Sequence, residues 1–174
     1  MPNPPQIPPQ PPRIPMSDNL NLGPGELDTD HVVIRTLTLD DLDSVVRIDA
    51  ASTGIARREF YKMKIERSIS DSSVHLSLAA EIDGFIVGFV TVAFYQGEFG
   101  KPEPTAVLDA IGVHPDYRGR KAAKALMLQL EMNLKALRVE TIRTEVDWDQ
   151  FDLLQVFAKA GFRPADRVCL EKAL

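Results

Sequence analysis

The chain has one cysteine, Cys169, in 174 residues. That excludes an intrachain disulfide framework and fits a reducing compartment. Proline is scarce after the head: nine of the 13 lie within the first 24 residues. An excess of basic charge is also lacking. Net charge is −5 and the sequence pI about 5.2, which argues against a protein whose whole surface binds nucleic acid or an anionic membrane. The longest uncharged apolar run, Gly84 to Gly97, is too short to span a bilayer as a helix. No apolar stretch follows Met1, so no signal peptide is expected and the cytoplasm is the expected location. His31, His75, His114 and Cys169 lack metal-ligand spacing, and no metal is expected. Neither a GxxxxGK[ST] loop nor a GxGxxG fingerprint is present.

What remains is an ordinary soluble balance, with 44% hydrophobic and 26% charged residues. Residues 1–30 read as a disordered, partly polyproline II tail, and 31–174 as one domain. His31 to Thr36 reads as a strand. Thr38 caps a helix to about Ala50, with Asp41 closing a capping box. Ala56 to Ser70 is a second helix, with Tyr61, Ile65 and Ile69 as its stripe. Val74 to Ile82 alternates as a half-buried strand, and Asp83-Gly84 turns the chain into Phe85 to Tyr95, apolar on both faces. Thr105 to Val113 is a further strand, and a long helix reaches about Leu137. Then come a strand from Glu140 to Asp147, a helix from Asp152 to Ala160 capped by Gly161, and a last strand from Arg167 to Lys172. The order β-α-α-β-β-β-α-β-α-β predicts an α/β fold: one mixed, mostly antiparallel sheet with helices on both faces.

The strongest local signal is Val113 to Met127, VHPDYRGRKAAKALM. A strand ends, a short loop turns and a helix begins. Arg118, Arg120, Lys121 and Lys124 gather positive charge beside a helix N-terminus, where unpaired N–H groups already favour an anion. Gly119, Ala122 and Ala123 let a phosphate approach the backbone. The stretch resembles the acetyl-CoA signature of the GNAT family of N-acetyltransferases. There a V-x-P strand end leads into [QR]-x-x-G-x-[GA] and a helix; here these are Val113-His114-Pro115 and Arg118 to Ala123. Ala160-Gly161-Phe162 is similar to a late turn of that family, and the element order matches over about residues 31–174. Position 121 departs from the pattern, with lysine where the family has glycine; its Cβ is tolerable at helical φ/ψ.

The resemblance implies an acyltransferase that uses acetyl-CoA, with a small-molecule or protein amine as acceptor and neither nucleic acid nor membrane as partner. The resemblance is compatible with a homodimer, since family members often dimerise, but the sequence does not fix the oligomeric state. It implies a cleft between splayed strands 105–113 and 140–147. Ile111, Gly112 and Val113 would line the pantetheine, the Val113 N–H polarising the thioester carbonyl, and Arg118, Gly119, Arg120, Lys121, Ala122 and Ala123 would hold the diphosphate. The amine must lose a proton, and two carboxylates stand as bases. Asp109 is the lone charge on its strand, sharing strand parity with Val107 and Ile111; its bland role is a buried hydrogen bond. Glu145 shares a polar face with Thr141, Arg143 and Asp147; its bland role is an ion pair with Arg143. Where many relatives carry a tyrosine acid, this chain has Phe157. That leaves open a second reading, a CoA-binding regulatory or interaction module with little turnover. Tyr117 and Tyr95 are substitute acids or packing groups, and Arg57 and Arg58 favour an acidic acceptor or start a helix in solvent.

Overall fold

The structure, a computed structural model, describes residues 32–70, 75–96, 100 and 102–173. The tail reading for 1–30, and with it His31 and Val74, falls outside them. β1 (Val33–Thr36) enters α1 (Leu42–Thr53) through a single 3-10 turn. The capping box expected for Thr38 and Asp41 is present. The Asp41 carboxylate accepts the Thr38 N–H at 2.9 Å and the Thr38 hydroxyl at 3.0 Å. Arg35 of β1 adds a two-pronged contact at 2.7 and 2.8 Å.

Burial would raise the Asp41 pKa, but the Arg35 guanidinium and the Thr38 donors outweigh it, and the net direction is down. A carboxyl with a lowered folded pKa stabilises the fold above its unfolded value and loses that contribution as pH falls through the folded one. The thermal midpoint is therefore expected to drop below about pH 4, the ordinary aspartate value. Asp41→Asn should flatten this acid limb in a series of melts across pH.

α1 buries Leu42, Val45 and Ile48, and ends at Gly54, whose φ of 76° suits glycine. α2 (Arg58–Ser70) buries Tyr61 and Ile65, whereas Ile69, expected in the same stripe, is exposed. Then come β2 (Leu78–Ile82), β3 (Phe85–Tyr95), β4 (Thr105–Val113), α3 (Ala122–Ala136), β5 (Thr141–Arg143) and α4 (Phe151–Lys159). Asp83 and Gly84 both take positive φ, as a two-residue hairpin requires. The sheet order is β1-β2-β3-β4-β5, antiparallel throughout except for β4 and β5. One face is a core of α1 and α2 with Ala79 and Phe89. The other holds Leu126, Leu130 and Leu134 of α3 and Phe157 of α4 against Leu78, Ala80, Val90 and Leu108.

Three expectations need correction. β2 is shorter than Val74 to Ile82 and is not half-buried, because helices cover both of its faces. The small side chain of Ala79 hides its second apolar face from an alternation count. The strand over Glu140 to Asp147 shrinks to three residues, Thr141–Arg143, since β4 supplies no partner beyond Val107. The strand over Arg167 to Lys172 does not form: Val168 and Leu170 are 83% and 88% exposed. β5 offers only three residues of edge to pair with, too little to template a ladder. The element order thus ends on α4, while the mixed α/β class stands.

Gly112 is required by a close approach. A Cβ built there would lie 2.8 Å from Cε1 of Phe89. Gly112→Ala is expected to destabilise by about 1–3 kcal/mol, the usual consequence of overpacking, read as a lower urea midpoint at unchanged slope.

Candidate active site

The site begins with a defect in the sheet. β3 and β4 stay in register from Val113 to Ala110 and again from Leu108 to Thr105, but Asp109 has no partner. One extra residue in β4 makes a bulge, which bends a strand and re-aims its side chains. Ahead of the bulge Ala106 and Leu108 face the α3 core; beyond it Ile111 and Val113 do, and Ala110 turns to α1 and α2. The parity shared by Asp109 and Ile111 in the sequence is therefore broken, and their side chains sit on opposite faces. Alternation cannot register one inserted residue.

The bulge coincides with the loss of β5. Parallel pairing covers Thr105↔Thr141 to Val107↔Arg143 and then stops. The Thr144 hydroxyl donates to the Leu108 carbonyl at 3.0 Å and closes the apex of the resulting wedge. At the far end the His114 N–H bonds to the Val87 carbonyl at 2.8 Å, fixing which edge faces β3. Successive residues point their N–H and C=O groups to opposite edges. Ile111 and Val113 therefore turn theirs to the open edge, where β5 no longer pairs.

The loop from His114 to Lys121 closes the base of the wedge. A 3-10 turn over Pro115–Tyr117 uses the Tyr117 and Arg118 N–H groups internally, and Arg120 N–H bonds to the Tyr117 carbonyl. Among the described residues no acceptor meets the N–H of Gly119, Lys121, Ala122, Ala123 or Lys124, and no side chain caps α3. These amides are aimed outward with exposed Lys121 and Lys124 beside them. Arg118 touches Ser52 at 3.3 Å, and Arg120 lies 5.1 Å from the Tyr117 ring centroid. Free amides, small side chains and basic charge fit a diphosphate, and the open β4 edge fits an amide-bearing arm leading to it.

Lys121 does not meet the condition of helical φ/ψ under which its Cβ is tolerable; it caps α3 at φ 62°, ψ 5°. That region costs a non-glycine residue about 1–2 kcal/mol, partly offset by the chain entropy that glycine would lose. Lys121→Gly is expected to stabilise the protein by about 0.5–1 kcal/mol in urea denaturation.

The two carboxylates differ sharply. Asp109 Oδ1 lies 2.8 Å from the Lys64 ammonium of α2, with 16% of its side chain exposed. Its partner is therefore a cation and not the hydroxyl or backbone amide of a buried hydrogen bond. Glu145 is exposed on the strand-like stretch past β5 and, among the described residues, has no hydrogen bond or ion pair, with Arg143 or otherwise. Phe157 is buried against Phe162 at 5.0 Å between ring centroids. Tyr117 packs on the α3 core, and His114 Nδ1 accepts from the Asp116 N–H at 3.3 Å.

Arg57 and Arg58 do not reach for an acceptor. Arg57 forks onto Asp49 at 2.6 and 2.9 Å, and Arg58 pairs with Asp43. Tyr61, whose hydroxyl donates to Asp49 at 2.8 Å, has its pKa pushed up by burial and by that carboxylate. This cluster ties α1 to α2. Lys64 is the residue the sequence reading missed. Its signal was present: a lone carboxylate on an apolar strand needs a cation, and Lys64 stands on the Tyr61 and Ile65 side of α2.

The fold is thus a five-stranded mixed sheet whose one parallel pair parts above an amide-lined basic turn. The model of the acetyltransferase (GNAT) family matches residues 42–162, and the chain belongs to that family. An acetyltransferase of Yersinia pestis (strain Pestoides F) is 31% identical over 141 residues, 81% of this chain and 94% of that one. Among solved structures, an aminoglycoside N-acetyltransferase in complex with CoA aligns with TM-score 0.68 at 18% identity, over 82% of this chain and 95% of that one. The ribosomal-protein-alanine N-acetyltransferase of Brucella melitensis biovar Abortus 2308 aligns with TM-score 0.65 at 23% identity, over 82% and 99%. The protein is an acetyltransferase. Among the described residues no helix is long and apolar enough to cross a membrane.

Proposed function

We propose that the protein transfers the acetyl group of acetyl-CoA to a primary amine by direct attack. Acetyl-CoA is the cosubstrate, and it supplies the acetyl group as a thioester. Ile111 and Val113 would hold its arm through their open-edge backbone groups, with Gly112 between them, and the Val113 N–H would stabilise charge on the carbonyl oxygen. Arg118, Gly119, Arg120, Lys121, Ala122 and Ala123 would hold the diphosphate. Asp109 would accept the amine proton; Glu145, exposed past β5, is the second candidate for that role. Phe157 cannot donate a proton. A thiolate, with an ordinary pKa of about 8.5, leaves without a protein acid and takes its proton from solvent.

The observation that carries this reading is the set of uncapped amides at the start of α3, lying below the parted strands. Phe157 at the place of a tyrosine acid supports the second reading, a CoA-binding regulatory or interaction module with little turnover. The deciding experiment is thiol release from acetyl-CoA across a panel of primary amines, run beside calorimetry with acetyl-CoA. Heat with thiol release supports transfer. Heat without release for every amine selects the module, and no heat at millimolar ligand rejects both.

A further inference from the structure

The Lys64 ammonium is held in a manner suited to a ligand. It lies 2.8 Å from Asp109 Oδ1 and 5.6 Å from the centroid of the Phe60 ring, one helical turn away. A carboxylate opposed by an aromatic face is the general chemistry for binding an alkylammonium. Among the described residues the buried carboxylates, Asp41 and Asp49, are fixed by arginine forks with two contacts each, whereas Asp109 is part-buried. Asp109 is met by a single contact from a flexible four-carbon stem, the kind of cation that can swing aside. The pair sits on the bulge, directly before the open edge of β4. On the same face of the sheet the Thr91 hydroxyl, opposite Ala110, is 1% exposed and has no partner among the described residues. The fold thus leaves a polar group unused beside this pair.

We infer that Lys64 occupies the acceptor's ammonium subsite and thereby selects the acceptor. This rests on the acetyl-transfer reading with Asp109 on the acceptor side. An incoming ammonium must displace the Lys64 ammonium from Asp109. The Asp109–Lys64 pair is neutral, so a plain alkylammonium would leave a net positive charge in a largely desolvated place. An acceptor that carries its own carboxylate restores neutrality by pairing with the displaced Lys64. The substrate class is therefore a zwitterionic amine, one with an anionic group near the reacting nitrogen.

The test compares 4-aminobutyrate with butylamine on the full chain, by calorimetry and by thiol release. Wild type should prefer 4-aminobutyrate. In Lys64→Met the preference should move toward butylamine by about tenfold, the value of one partly buried charge pair, mainly in KM. Lys64→Arg, which keeps the charge, should keep the wild-type preference. Lys64→Gln supplies the same comparison if the methionine variant does not fold. An unchanged preference in folded Lys64→Met or Lys64→Gln, or no heat from either amine with any variant, overturns the inference. Thiol release that persists with an unchanged preference leaves acetyl transfer standing. Absent thiol release with a shifted calorimetric preference removes turnover and keeps the subsite.

Discussion

Asp109→Asn is expected to lower kcat/KM for the best amine by about 10²-fold or more, the usual contribution of a positioned base. The asparagine keeps the shape of the bulge residue and removes only its charge and basicity. Acetyl-CoA binding should be unchanged, because the diphosphate turn lies beyond the far end of β4. The deficit should depend on pH in a definite direction. A lysine-like amine has a pKa of about 10.4, so near neutrality almost every acceptor molecule needs its proton removed. As pH rises toward that value the free amine accumulates, and the variant should approach wild type. A merely structural defect would persist at all pH values. Glu145→Gln should have a much smaller effect, since Glu145 stands exposed and unpartnered in solvent. Rates unchanged in both variants, measured by thiol release, would reject the base assignment.

The difference between the two carboxylates marks where sequence reasoning reached and where it stopped. The turn at Asp83-Gly84, the Thr38–Asp41 box and the Gly161 cap were all legible, because each is a local pattern written within one or two turns. The basic turn with uncapped amides before α3 was legible for the same reason. The bulge was not. Asp109 and Ile111 are two apart, and only the partner strand reveals that one residue between Leu108 and Ala110 goes unpaired. The Lys64 contact joins residues on α2 and β4, so it depends on how α2 lies across the sheet. The strand expected over Arg167 to Lys172 failed for a related reason. Its alternation is real, but a strand exists only where a neighbour offers an edge, and β5 offers three residues. β5 stops pairing next to the residue where β4 bulges, and the wedge opens at the same place.

Lys124→Glu should separate the stability of α3 from its use as an anion site, because the two respond with opposite sign. Lys124 is the third residue of the helix, is exposed, and α3 has no acidic residue in its first turn. A carboxylate there interacts favourably with the helix dipole, so stability should be unchanged or rise by about 0.3–1 kcal/mol. The same carboxylate would stand beside the free amides of Ala122 and Ala123 and repel a diphosphate. Losing a charge-assisted hydrogen bond costs about 1.5–3 kcal/mol, and the added repulsion brings the expected loss of acetyl-CoA affinity to about 100-fold. Lys124→Ala, which removes attraction without adding repulsion, should fall between. Because both charges face solvent, the gap between Lys124→Glu and wild type should narrow as salt is raised from about 0.01 to 1 M, where the screening length falls from about 30 to 3 Å. Calorimetry with acetyl-CoA at two salt concentrations, beside a thermal melt, reads all three quantities. A variant that melts like wild type and binds acetyl-CoA equally well would show that the turn before α3 holds no diphosphate.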